Sequence, residues 1–136
     1  LEHFLVTLNE LFDQPYPWRW VEFDPWVART TTVDDKELVA KFYEASEPGE
    51  DHPFFGFEFT VDGKATISNT GDMYRIFSTV ISIMQAYISS NPNNDIIFTS
   101  NERSRTMLYT RLLTKYGIKF STEYIGDTAA MFFINS

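Results

Sequence analysis

The chain has no cysteine, which excludes disulfides, thiolate metal sites and a cysteine nucleophile. Its two histidines, His3 and His52, lie far apart, and neither sits in an H-E-x-x-H spacing. No G-x-S-x-G elbow or Ser-His-Asp array is present, so hydrolysis by those routes is not expected. Glycine is scarce, with six copies, and neither G-x-G-x-x-G nor a phosphate-loop lysine occurs. Basic residues are also few: 11 Lys and Arg against 19 Asp and Glu give a net charge of −8. Such a balance repels nucleic acid. No apolar run reaches the roughly 18 residues of a membrane span. Glu2, His3 and Glu10 interrupt the first segment, against a secretory signal. A cytoplasmic protein is the expectation.

What the chain does have is apolar and aromatic. Of its 136 residues 43% are hydrophobic and 17% aromatic, with 13 phenylalanines, enough for one domain with a real core. Leu1, Phe4, Leu5, Leu8, Leu11 and Phe12 recur at helical spacing and predict an amphipathic helix over 1–12. The prolines of "DQPYPWRW" break it. "WVARTTTV" and "ELVAKFYEA" read as a hairpin. In "FFGFEFTV", Phe55, Phe57, Phe59 and Val61 alternate onto one face, and Asp62-Gly63 follows as a turn signal. "KATIS" adds a short strand before the next helix.

Met73, Ile76, Phe77, Val80, Ile81, Met84, Tyr87 and Ile88 form a helical stripe that Asn91-Pro92 ends. "DIIFTS" is a short buried strand, and 101–116 a second helix with Met107, Leu108, Leu112 and Leu113 inward. Gly117 is a C-cap, and "IKFSTEYI" and "AAMFFIN" close the chain as two strands around Gly126-Asp127. The order predicts a single α/β (α+β) domain, 1–136, with its core over 26–135 and a mixed, mainly antiparallel sheet flanked by helices.

Four stretches carry candidate chemistry. Ser68 to Asp72 join a strand to a helix, where backbone amides and the helix dipole can hold a phosphate. Thr70 or Asp72 would equally serve as a plain N-cap. In "SNERSRTMLY", Ser100 or Asn101 caps the second helix; Arg103, Arg105 and Arg111 either bind an anionic group or form surface ion pairs. Tyr109 is either a proton donor or a packing residue. Glu58 lies on the strand face opposite Phe57 and Phe59: lining a cleft it would suit general-base work, and on an open face it is merely solvated. Finally, Tyr16, Trp18, Arg19 and Trp20 crowd residue types that dominate protein interfaces, or else fold back over the sheet edge.

The order of elements resembles the GNAT N-acyltransferase core over residues 26–135. That family carries a Q/R-x-x-G-x-G/A loop whose amides hold the coenzyme A pyrophosphate. With Gly71 on its central glycine, Ser68 stands at the Gln/Arg position and Met73 at the last Gly/Ala position, so the loop is degenerate. The resemblance implies acetyl-CoA as cofactor, held by Thr70, Gly71, Asp72, Met73, Asn101 and Arg105. It implies Glu58 as the base for an amine and Tyr109 as the proton donor to the departing thiolate, with no metal. "TGDMYRIFSTVISIM" and "IIFTSNERSRTMLYTRL" also resemble small uncharacterised tailed-bacteriophage proteins. That likeness implies a host-cytoplasm setting and a non-catalytic alternative that engages a host or virion protein partner.

Overall fold

The computed structural model describes residues 14–46, 49, 51, 53–64 and 73–134. The expected helix over 1–12, the strand over 65–68 and the loop residues Ser68, Thr70, Gly71 and Asp72 lie outside the described residues, as does His52. Seven strands form one sheet: β1 (Arg19–Trp20), β2 (Val27–Thr31), β3 (Glu37–Glu44), β4 (Phe54–Val61), β5 (Asp95–Ser100), β6 (Phe120–Ile125) and β7 (Ala129–Ile134). Helix α1 (Met73–Ser90) connects β4 to β5, and α2 (Arg103–Lys115) connects β5 to β6. The strand order is β1-β2-β3-β4-β5-β7-β6. Every pairing is antiparallel except β4 with β5. This is an α+β domain with a mixed, mainly antiparallel sheet and two helices.

Strand alternation makes the core. Leu38, Ala40 and Phe42 of β3, Phe57, Phe59 and Val61 of β4, Ile96 and Phe98 of β5, and Ala130, Phe132 and Ile134 of β7 are all buried. Ring contacts tie both helices to this face: Phe77 of α1 meets Phe59 at 5.5 Å, and Tyr109 of α2 meets Phe98 at 4.7 Å. Between Val61 and Lys64, Asp62 and Gly63 both have positive φ (51° and 74°) and the flanking backbones exchange two hydrogen bonds. That is the two-residue turn an Asp-Gly pair favours.

The C-terminus of α2 is a Schellman motif. Gly117 N–H donates to Thr114 and Ile118 N–H to Leu113, with Gly117 at φ 70°. A Cβ at Gly117 would meet nothing within 4 Å, so the cost of a side chain there is purely conformational. Gly117→Ala is expected to lower stability by about 1 kcal/mol, read from a urea transition midpoint.

Three local expectations are corrected. Met107 points outward and is 64% exposed, and Tyr109 takes the inward place. At about 100° per residue, a face centred on Leu108, Leu112 and Leu113 also takes Tyr109, whereas Met107 joins Arg103 and Arg111 on the other side. The second correction is at the start of α2. Glu102 is the N-cap residue and makes no side-chain capping bond; Ser100 Oγ donates instead to the Glu102 carbonyl at 3.3 Å. Asn101 therefore does not cap.

The third concerns the Trp-rich stretch, where the partner-facing alternative gives way to the other one, rings folded back over the sheet edge. Tyr16 is inside, at 4% exposure, its N–H donating to Thr79 Oγ1 at 2.8 Å and the Arg75 guanidinium 4.0 Å above its ring. Trp18 donates to Ser82 Oγ at 3.0 Å. Trp18, Trp20, Trp26 and Tyr87 then run edge to face into the core, with centroids 5.0 to 5.4 Å apart. Of the four residues given as partner-facing in one alternative, Arg19 is exposed, Trp18 and Trp20 are partly buried and Tyr16 is inside.

Candidate functional site

The chemistry-bearing residues converge where the sheet comes apart. β4 and β5 pair over only three positions, Phe54–Gly56 against Asp95–Ile97. β4 then runs on to Val61 beside β3, and β5 runs on to Ser100 beside β7. Between them opens a cavity of about 350 Å³, lined on one side by Gly56, Phe57, Glu58 and Phe59 and on the other by Ile97, Phe98 and Thr99. Asn101, Arg105 and Tyr109 line it as well, from the start of α2 and its second turn. Such a parting leaves β-strand backbone without a neighbour. Those N–H and C=O groups can pair with an extended, amide-bearing ligand.

Two expectations for Glu58 were alternatives, and its placement combines them. It lines the cavity, yet its side chain is half-exposed and bonds Lys41 Nζ at 2.8 Å from the neighbouring position on β3. The hydrogen bond to Glu58, and then its charge, raise the Lys41 pKa, so the ammonium is firmly held in its charged form. The bond to Lys41 occupies one of the two carboxylate oxygens, Oε1, and a ligand can approach the other.

Tyr109 is the opposite case. It is 3% exposed, with Phe77, Phe98 and Phe132 at 5.0, 4.7 and 5.6 Å. Burial pushes its phenol well above the ordinary tyrosine range, and the nearby Arg105 charge only partly offsets this. The hydroxyl therefore stays neutral. The ring packs, as one of the two alternatives had it, and the residue also lines the cavity.

The structure thus brings together four of the expected site residues: Glu58, Tyr109, Asn101 and Arg105. Met73 is apart from them, partly buried against the core as the first residue of α1. Thr70, Gly71 and Asp72 are outside the described residues. Two lining residues escaped the sequence reading. Gly56 is one: a Cβ there would overlap the Tyr43 ring, so the glycine lets that ring lie against β4 at the cavity's edge. Tyr43 is the other, half-exposed and paired with Gly56 across the strands. The signal was there, since Tyr43 and Lys41 alternate together on β3, but only the β3–β4 register puts them beside Gly56 and Glu58.

Among the described residues no group of His, Asp or Glu side chains could hold a metal ion, and no helix is long and apolar enough to cross a membrane. No curated protein and no solved structure matches the chain. Residues 56–126, just over half of the chain, match a protein family from Gly56 in the cavity wall to Gly126 in the β6–β7 turn. The chain belongs to that family, DUF6934, a family of unknown function.

Proposed function

We propose that the cavity between β4 and β5 binds an acyl thioester of the acetyl-CoA type and that the protein is a GNAT-like N-acyltransferase. One observation carries this reading: the parting of β4 from β5 gathers Glu58, Asn101, Arg105 and Tyr109 around a single cavity. The fit is partial and consistent. A volume of about 350 Å³ suits the acyl end of the coenzyme and some of its amide-bearing arm. The unpartnered backbone of the two strands offers that arm hydrogen bonds. Asn101 and Arg105 supply polar contacts. The resemblance assigns the pyrophosphate to the amides around Gly71.

When bound, the coenzyme supplies the activated acyl group. Glu58, through the carboxylate oxygen that Lys41 does not engage, accepts the proton of an incoming amine. Tyr109 holds its proton more tightly than a thiol, whose ordinary pKa is about 8.5. Its hydroxyl therefore stabilises charge developing on the departing sulfur as a hydrogen-bond donor, without giving the proton away.

The Glu58–Lys41 pair favours a second reading, because the carboxylate already has an ion-pair partner at 2.8 Å within the sheet. In that reading the domain is a non-catalytic, phage-type module that binds a host or virion protein. A calorimetric titration with acetyl-CoA and with CoA separates the two. Saturable binding is expected, lost in Thr99→Trp with the circular dichroism spectrum unchanged, because Thr99 is an exposed residue of the cavity wall and an indole there obstructs the cavity. An absence of heat with the wild-type protein would sink coenzyme use and leave the binding module.

A further inference from the structure

The end of the sheet bears an edge that lacks the usual protection. β6, Phe120–Ile125, pairs with β7 on one side and with no strand on the other among the described residues. It contains no proline and no lysine, and its one charge is Glu123, for which a basic partner residue would make pairing with another chain favourable. Tyr124 and Ile125 at its end are 70% and 52% exposed. Beside the other end of the strand lies a hollow of about 600 Å³, lined by Ile88, Gln85, Tyr116, Ile118 and Lys119.

These features fit one another under a twofold axis. The register with β7 puts Phe120, Thr122 and Tyr124 on the helix-bearing face, opposite Ile134, Phe132 and Ala130, and Ser121 and Glu123 on the other. Antiparallel pairing of two β6 edges about a perpendicular axis keeps each residue on its face, so it must centre on a residue. Centring on Glu123 sets two carboxylates directly opposite each other, which is unfavourable. Centring on Thr122 sets Glu123 opposite Ser121 and Lys119 opposite Ile125, so no opposite charges meet. Centring on Ser121 sets Lys119, the residue just before the strand, opposite Glu123 of the other copy, twice, and both residues are exposed. The same register sets Tyr124 opposite Ile118 of the second copy, bringing its exposed ring to the hollow that Ile118 lines.

We propose that β6 is the self-association edge of this protein, joining two copies into one continuous sheet centred on Ser121. Lys119 pairs with Glu123 across the axis, and Tyr124 fills the hollow beside Ile118. The proposal does not depend on what the cavity binds.

Sedimentation equilibrium of the full chain in about 0.15 M salt, where the Debye length is near 8 Å and the net negative charges are largely screened, tests it. A dimer is expected at about 100 µM, a concentration that populates even weak interfaces. Lys119→Glu and Glu123→Lys should each weaken it by about tenfold or more, since like charges then face each other twice. An equimolar mixture of these two variants should restore a heterodimer, because one chain then presents two carboxylates and the other two ammonium groups. Tyr124→Ala should weaken the dimer and leave the monomer's melting temperature unchanged. A wild-type monomer at that concentration overturns the proposal. So does a dimer indifferent to both charge reversals, or a mixture that stays monomeric.

Discussion

Phe132→Ala is expected to remove about 3–5 kcal/mol of stability, the range for deleting a fully buried ring. Phe132 is at 0% exposure on β7, which lies between β5 and β6. It stacks on Phe98 at 4.9 Å with the rings 8° from parallel, and touches Tyr109 at 5.6 Å and Phe120 at 6.0 Å. Its loss leaves a hole between three aromatic rings, Phe98 and Phe120 on strands held by antiparallel ladders and Tyr109 on α2, so collapse into the space is limited. A domain of this size has about 5–15 kcal/mol in hand, so the variant sits near its unfolding threshold. Urea denaturation at 25 °C measures the loss. A value under about 1 kcal/mol would mean the β5–β7–β6 end is not packed as described.

Tyr109→Phe should separate packing from chemistry. The ring and its three aromatic contacts remain, so the fold is kept. If the cavity transfers an acyl group, turnover should fall by about 10²–10³, the usual loss when one donor to developing charge is removed. Acetyl-CoA affinity should change little, because the hydroxyl acts on charge that appears only during reaction. An amine screen read by thiol release checks the first part, and calorimetry the second. Unchanged turnover would remove Tyr109 from the chemistry.

The same variant has a pH signature that needs no substrate. The Tyr109 pKa in the fold is raised by burial, whereas in the unfolded chain it ionises near the ordinary value of about 10. Below that pH both states hold the proton and the stability is unaffected. Above it the unfolded chain releases a proton that the fold retains, so stability falls as pH rises toward the folded value. Tyr87, raised mainly by its own burial, adds to this loss. Tyr109→Phe should make the decline above pH 10 shallower in urea melts, by about one proton's worth of slope.

The parts of the fold that rest on near-neighbour chemistry were legible in the sequence. Phe55, Phe57, Phe59 and Val61 predicted β4, and the strand runs from Phe54 to Val61. The apolar stripe from Met73 to Ile88 and the Asn91-Pro92 stop predicted α1, which ends at Ser90. Gly117 and Asp62-Gly63 marked a C-cap and a turn that the backbone adopts. These signals are local, since a side-chain period or a positive φ acts within a few residues. Met107 shows where they fail: an apolar residue one step from Leu108 carries no label for which face of the helix is inward.

The site divides along the same line. Residue type alone singled out Glu58, Asn101, Arg105 and Tyr109 as able to do chemistry. That they share one cavity depends on β4 and β5 pairing in parallel for three residues and then separating, across 38 intervening residues or more of chain that include α1. Hydrophobic pattern marks which face of a strand is buried and is silent on which strand lies beside it. The Lys41–Glu58 bond and the Tyr43 ring against Gly56 depend in the same way on the β3–β4 register, and the place of β7 on its pairing with both β5 and β6. The sequence by itself determined β2 to β7, the two helices and their order, and marked residues whose types can act, while the two-residue β1 went unmarked. Only the tertiary structure decided which of them meet, because strand adjacency and register are set by the packing of the whole core.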